Sequence, residues 1–306
     1  MTNAFNYRFS LAHIDAARNS TDDFNPFHDK HRWEQISDNP FGGPIVLGFQ
    51  QMAFIADQLV SYRQSNNELS LIESEDLVQS YYQLSFASVL KADEPFVFEI
   101  KKSKFNENKN KVLSNRFLIK NKNGLAMIGY KRESQKPLIL ETANFHDLPD
   151  LKKIPDRTFV EGSNYFLKRK FLNTSNGKNF LVGSLVEQSI YFDELVGKVS
   201  FPESFTLALI SCALLERATY LGHDFLKNPM VYVSQQMCIN REINAKLKSN
   251  DELIMLVEKQ ENDDELETYH CYGLLNNETI LYRCIISLAP LQRVIQVNQN
   301  GSSARA

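Results

Sequence analysis

The sequence predicts an α+β protein of two units, each a buried helix followed by successive antiparallel strands. Three observations lead there. Residues 49–63 and 203–221 are apolar on nearly every side, as helices enclosed in a core are. Each is followed by strand-length runs rich in β-branched and aromatic residues, with Asn, Lys and Gly turns between them. Between the two sets, residues 133–157 carry Pro137, Pro149 and Pro155 among charges with no sustained period, the composition of a linker.

Taken in order, Leu11, Ile14 and Ala17 form a helical stripe that leads into Asp22-Asp23-Phe24-Asn25-Pro26-Phe27-His28. Asn25 is a good N-cap, and Pro26 suits a first helical position because its missing N–H would be unpaired there. A residue before proline is pushed to extended geometry, so the chain bends at Asn25. Asp23 then lies on the approach to a helix and His28 in its first turn. Positive partial charge at a helix N-terminus favours neutral imidazole, the form a general base needs. Seen alone, an Asp-x-Asn-Pro turn reads as a cap.

Phe41-Gly42-Gly43-Pro44-Ile45-Val46-Leu47-Gly48-Phe49 reads as a glycine turn, a short apolar entry and a helix start. Met52, Ala53, Ile55, Ala56, Leu59 and Val60 recur at helical spacing. The first N–H groups, near Gly48 and Phe49, have no helical partner and form a carbonyl or oxyanion site. Glycine at 48 lets a substrate approach the backbone closely.

Strands are expected at 81–86, 96–100, 112–120 and 125–130. The Lys- and Asn-rich 101–111 reads as a solvated hairpin tip, with an anionic phosphopantetheine or carrier protein as the functional alternative. In the second half, 180–191 alternates like a strand, and Ser200 to Glu203 has capping-box spacing. The helix over 205–221 should stop at Gly222, and strands are expected at 231–239, 252–259, 267–275 and 280–288. The resulting units are 1–135 and 158–297, with a linker at 136–157 and a disordered tail at 298–306.

A hydrophobic share of 43%, a charged share of 23% and a net charge of −3 describe a globular chain with no basic footprint for nucleic acid. Cys212, Cys238, Cys271 and Cys284 make no C-x-x-C pair, so reduced buried thiols are expected. His31 follows His28 at a spacing two metal ligands could share, but no third ligand is evident. His13 reads as a half-buried or exposed helix residue, His146 and His223 as unremarkable, and His270-Cys271 as strand packing. With no signal-peptide pattern and no apolar run long enough for a membrane span, a cytoplasmic protein is expected. No cofactor and no metal are expected.

Asp23, Asn25, Pro26, His28 and Asp29, followed by Phe41, Gly42, Pro44, Ile45 and Gly48, resemble the signature of the MaoC-like, (R)-specific enoyl-CoA hydratase family of hot-dog proteins. The clear match runs from about Phe9 to Leu59. Two positions depart: Leu47 stands where a histidine usually precedes the glycine, and Asp22 where glycine commonly precedes the aspartate. The resemblance implies a double hot-dog, each sheet wrapped around its central helix, with catalysis in the first unit and a degenerate second unit walling the acyl chain. The second half has neither the Asp-x-Asn-Pro-x-His run nor the Phe-Gly-x-Pro turn.

The resemblance further implies a dehydratase or hydratase acting on (3R)-3-hydroxyacyl and trans-2-enoyl thioesters of coenzyme A or acyl carrier protein. Fatty-acid or polyketide metabolism would supply them, and a homodimer is compatible. Asp23 and His28 would hold the departing or attacking water and shuttle its proton. Gly48 N–H would hold the thioester oxygen, while Asn25 and Pro26 shape the loop. Asp22 is the alternative carboxylate, and Leu47 is expected at the site's edge. A hot-dog thioesterase and a non-catalytic acyl-binding subunit are the competing readings.

Overall fold

The computed structural model describes residues 7–139, 145, 147–261, 266–276 and 279–295. The first half runs α1 (Leu11–Thr21), α2 (Gly48–Ser65), α3 (Glu68–Ser74), β1 (Gln79–Phe86), β2 (Phe96–Ile100), β3 (Lys104–Asn106), β4 (Val112–Asn121) and β5 (Gly124–Ser134). The second runs β6 (Thr158–Phe159), β7 (Phe166–Phe171), α4 (Thr174–Gly183), β8 (Phe192–Asp193), β9 (Lys198–Val199), α5 (Glu203–Ala208), α6 (Ile210–Tyr220), β10 (Met230–Asn240), α7 (Arg241–Ala245), β11 (Glu252–Lys259), β12 (Glu267–Leu275) and β13 (Thr279–Pro290).

The strand order is β2-β4-β5-β1-β10-β13-β12-β11-β7-β6, with β3 beside β4. The order β2-β4-β5-β1 of the first half recurs inverted as β10-β13-β12-β11, so the chain repeats one plan about the β1–β10 seam. Those two strands pair antiparallel from Gln79 opposite Asn240 to Ser85 opposite Ser234. Tyr7 bridges to Phe96 on β2 as β7 pairs with β11, extending the repeat to the helices α1 and α4. This is a double hot-dog: one curved sheet with α2 and α5–α6 held against its inner face.

The main core runs unbroken across both halves, from Phe49, Met52 and Phe54 of α2 to Phe205 and Leu209 and the inward strand residues Leu84, Met237 and Ile286. Gln50 ties α2 to the end of α4. Its Oε1 accepts the N–H of Leu47 at 3.3 Å and its Nε2 donates to the carbonyl of Gly183 at 2.5 Å. At Gly183 a Cβ would stand 2.6 Å from the backbone nitrogen of Ala17 and 2.7 Å from the carbonyl of His13. Only glycine lets α1 and α4 cross this closely.

Several expectations change. Residues 180–191 are not a strand. Asn173 accepts hydrogen bonds from Ser175 N–H and Asn176 N–H and starts α4, whose Phe180 and Leu181 are buried, and a short 3-10 turn follows at Gln188–Ile190. The alternation was that of a short helix burying one face. The second central helix is broken at Leu209 into α5 and α6. Thr206 Oγ1 lies 3.0 Å from the Glu203 carbonyl, and a hydroxyl that bonds back along a helix competes with its ladder and bends it. The capping box does not form: Pro202 is the N-cap, without a side-chain cap bond, and Glu203 is the first helical residue.

Residues 136–157 do more than connect. Leu138 and Ile139 pack on Tyr81, Cys238 and Ile285. Phe145, Leu148, Leu151 and Ile154 cover Leu167, Ile254, Leu256 and Tyr272. The described residues 147–157 lie over the outer face of the sheet, and Arg169 pins them by donating to the Ile154 carbonyl at 2.6 Å and to that of Leu151. All four cysteines are buried free thiols. Among the described residues no helix is long and apolar enough to cross a membrane, and no group of three metal-ligating side chains occurs. The expected tail and His146 lie outside the described residues.

Candidate functional site

The loop between α1 and α2 carries the candidate groups. α1 ends at Asp22 in left-handed conformation (φ 51°, ψ 38°), the geometry glycine adopts most readily. That accounts for the glycine usual at this place in the resembling family. Asp22 turns outward and pairs with Lys170, its side chain 57% exposed. The next residue turns the other way: Asp23 is 3% exposed. Its Oδ1 accepts the N–H of Asn25 at 3.1 Å. Asn25 Oδ1 in turn accepts the N–H of Phe27 at 3.1 Å, capping the turn that begins at Pro26.

That turn is shorter than expected. It is a single 3-10 turn, Pro26–His28, with His28 at its end. A helix dipole therefore has too few aligned peptides to act on the imidazole. What orients the ring is a hydrogen bond, Nδ1 to the Ile45 carbonyl at 2.8 Å. A carbonyl only accepts, so Nδ1 carries the proton and Nε2 is left as the proton-accepting nitrogen. Behind the turn, burial pushes the Asp29 carboxyl up, but hydrogen bonds from His31 N–H and Arg32 N–H and the Arg18 guanidinium outweigh it and hold it below its ordinary value. Arg18 Nη2 donates to Asp29 at 2.6 Å, locking the loop to α1.

His28, Asn25, Gly48 and Gln51 line a cavity of about 270 Å³, rimmed by Lys91, Asn121 and Asn123. A second cavity of about 260 Å³ meets it at Asn25, Met230 and Tyr232; Leu214, Leu215 and Leu221 form one part of its wall, and Arg217, Lys259 and Glu267 another. Asp23 lines neither cavity. It sits one layer back, near enough to Tyr232 that burial and then the Asp23 carboxylate push that phenol far up. Among the described residues no hydrogen bond joins Asp23 to His28. The neutral Tyr232 hydroxyl shares a hydrogen bond with Ser211 at 3.1 Å.

Gly48 is the first residue of α2, as expected, but the space its side chain would fill is occupied. A Cβ there would lie 2.8 Å from the ring edge of Phe86. The glycine thus accommodates a ring that also lines the cavity. Leu47 is not at the edge of the site; it is 2% exposed and belongs to the main core. Sequence reasoning missed Tyr232, Phe86 and Gln51, which come from strands and a helix whose apolar patterning carries no functional signal.

The corresponding end of the second unit differs in charge. There the first residue of the buried helix is Glu203, whose carboxylate accepts from the Ser80 and Tyr82 hydroxyls at 3.0 Å each. Lys131 links Glu203 to Glu133, and Glu133 pairs with Arg63. Burial pushes Glu133 up, but Lys131 and Arg63 outweigh it and hold its carboxyl at about 2. A fixed carboxylate at this helix start would repel a developing oxyanion, which leaves the Gly48 end as the candidate.

No family model and no curated protein matches the sequence. Solved structures do match. A structure described as a MaoC-like dehydratase superposes with TM-score 0.61 at 9% identity over 94% of this chain and 96% of its own. A MaoC domain protein dehydratase from Chloroflexus aurantiacus gives 0.56 at 10% identity over 93% and 92%. A conserved hypothetical protein from Mycobacterium tuberculosis, described as having a double hotdog fold, gives 0.54 at 12% identity over 92% of each chain. The likeness spans both halves rather than residues 9–59 alone, and the chain has the double hot-dog fold found among MaoC-like dehydratase structures.

Proposed function

We propose that the protein adds and removes water across C2–C3 of acyl thioesters, interconverting (3R)-3-hydroxyacyl and trans-2-enoyl forms. One observation carries the reading. His28, its Nδ1 tied to the Ile45 carbonyl, lines a cavity that is also lined by Gly48, the first residue of a long buried helix. A base and a set of backbone donors then face one bound thioester. The C2 proton of a thioester is weakly acidic, so the enolate-like oxygen formed as it leaves needs hydrogen-bond donors, and Gly48 N–H supplies one. His28 exchanges the proton with the departing or attacking water. We assign the holding of that water to Asp23 once substrate is bound; in the empty protein it lies one layer behind the cavity wall formed by Asn25 and His28. The polar side chains Lys91, Asn121 and Asn123 suit the amide-rich arm of coenzyme A or acyl carrier protein, and the leucine wall of the second cavity, at Leu214, Leu215 and Leu221, suits the acyl chain beside its charged residues Arg217, Lys259 and Glu267.

The test is to offer (3R)-3-hydroxyacyl thioesters on both carriers and follow formation of the conjugated enoyl product. Water loss by the wild-type protein, cut about 10²-fold or more in His28→Ala, is expected. Hydrolysis of the thioester without dehydration would replace this reading with a thioesterase.

A further inference from the structure

Gln235 lies in β10 on the inner face of the sheet, between Leu84 of β1 and Ile286 of β13. It is fully buried, and neither Oε1 nor Nε2 has a hydrogen-bond partner. Its immediate strand neighbours Leu84 and Ile286 are core hydrophobes. An amide dry and unpaired at both ends is disfavoured in a core, where an apolar side chain of similar size would pack without penalty. The group is therefore expected to meet a partner that comes and goes.

Its position says which partner. Gln235 Nε2 is 3.6 Å from where a Cβ of Gly48 would stand. It therefore faces the first turn of α2, where the N–H groups lack acceptors within the helix. That helix belongs to the first unit and Gln235 to the second. The half-buried ring of Phe86 packs against Gly48 at this spot and also lines the cavity.

Resting on the thioester reading above, we propose that the Gln235 amide is the second donor of the oxyanion site. Its Nε2–H and the N–H of Gly48 hold the thioester oxygen together, one donor from each unit. Phe86 covers the pair in the empty protein and swings aside as the thioester enters. The second unit then contributes a catalytic residue, not only a wall.

Gln235→Leu tests this, with Gln235→Met as a second variant if the branched side chain misfolds. The amide should be missed by the reaction and not by the fold. Turnover of the 3-hydroxyacyl thioester should fall about 10²-fold, with KM little changed and the melting temperature equal to or above that of the wild type. A second readout needs no reaction. The infrared carbonyl band of a bound saturated acyl thioester should shift to lower frequency in wild type and in His28→Ala, and less in the Gln235 variants. Full turnover and an unchanged band in a folded Gln235 variant overturn this proposal while leaving the hydratase reading intact. A wild type that binds the thioester and shifts its band but dehydrates nothing overturns the hydratase reading and leaves Gln235 as a carbonyl ligand. A wild type that binds no thioester overturns both.

Discussion

Asp22 and Asp23 are neighbours in the chain and opposites in environment, which makes two conservative substitutions diagnostic. Asp23→Asn keeps an Oδ1 to accept the Asn25 N–H, now 3.1 Å away, and removes only the charge. The turn should survive, with a loss of about 1 kcal/mol for weakening one charge-assisted bond. Turnover should fall by about 10²-fold or more, equivalent to about 2.7 kcal/mol of transition-state stabilisation. Asp22→Asn removes an exposed pair to Lys170, worth about 0–1 kcal/mol, and should leave the rate intact. His28→Ala strands the Ile45 carbonyl, at a cost of about 1–3 kcal/mol, and should lower turnover at least as far as Asp23→Asn. If Asp23 and His28 act on one water, the double variant should be little slower than the worse single one. Single-turnover dehydration run beside thermal melts separates rate from fold. A folded His28→Ala or Asp23→Asn protein with near-normal dehydration would refute the assignment. Equal damage from Asp22→Asn would move the carboxylate by one position.

Other outcomes follow from the packing. Because the Glu133 carboxyl is held at about 2 against an ordinary 4.5, its contribution is complete above pH 4.5 and lost as pH falls from there towards 2. The shift corresponds to about 3 kcal/mol, so denaturant titrations at falling pH should show a shallower loss in Glu133→Gln than in wild type. At neutral pH that variant should be less stable by about 3–5 kcal/mol, since Arg63 loses its buried counter-charge and Lys131 keeps only Glu203. Leu47→His, which restores the residue usual in the resembling family, should lower stability by about 1–3 kcal/mol, because position 47 is core; an unchanged melt would place that side chain in the cavity instead. Gly183→Ala should cost about 1–3 kcal/mol by forcing α1 and α4 apart, and a neutral melt would show that this crossing has slack.

Local patterns carried much of this protein. The stretch from Asp23 to Gly48 announced a bend at Asn25, a capped turn and a helix start, because caps and prolines act on their own few residues. The strand runs and the first buried helix were legible for the same reason. What needed the tertiary structure was everything set by distant contact. The residues 180–191 alternate like a strand, yet form a helix and a turn, because α1 offers a partner for their buried face. The apolar residues at 147–157 show no period, since this stretch follows a sheet surface and not its own hydrogen-bond ladder. Asp22 and Asp23 cannot be told apart by type; the left-handed turn at Asp22 sends one to Lys170 and the other inward. Gln235 sits in an ordinary strand sequence. Only the pairing of β10 with β1 brings its amide to the start of a helix nearly two hundred residues earlier, and pairing across that distance is encoded in the sum of the packing, not in any one segment.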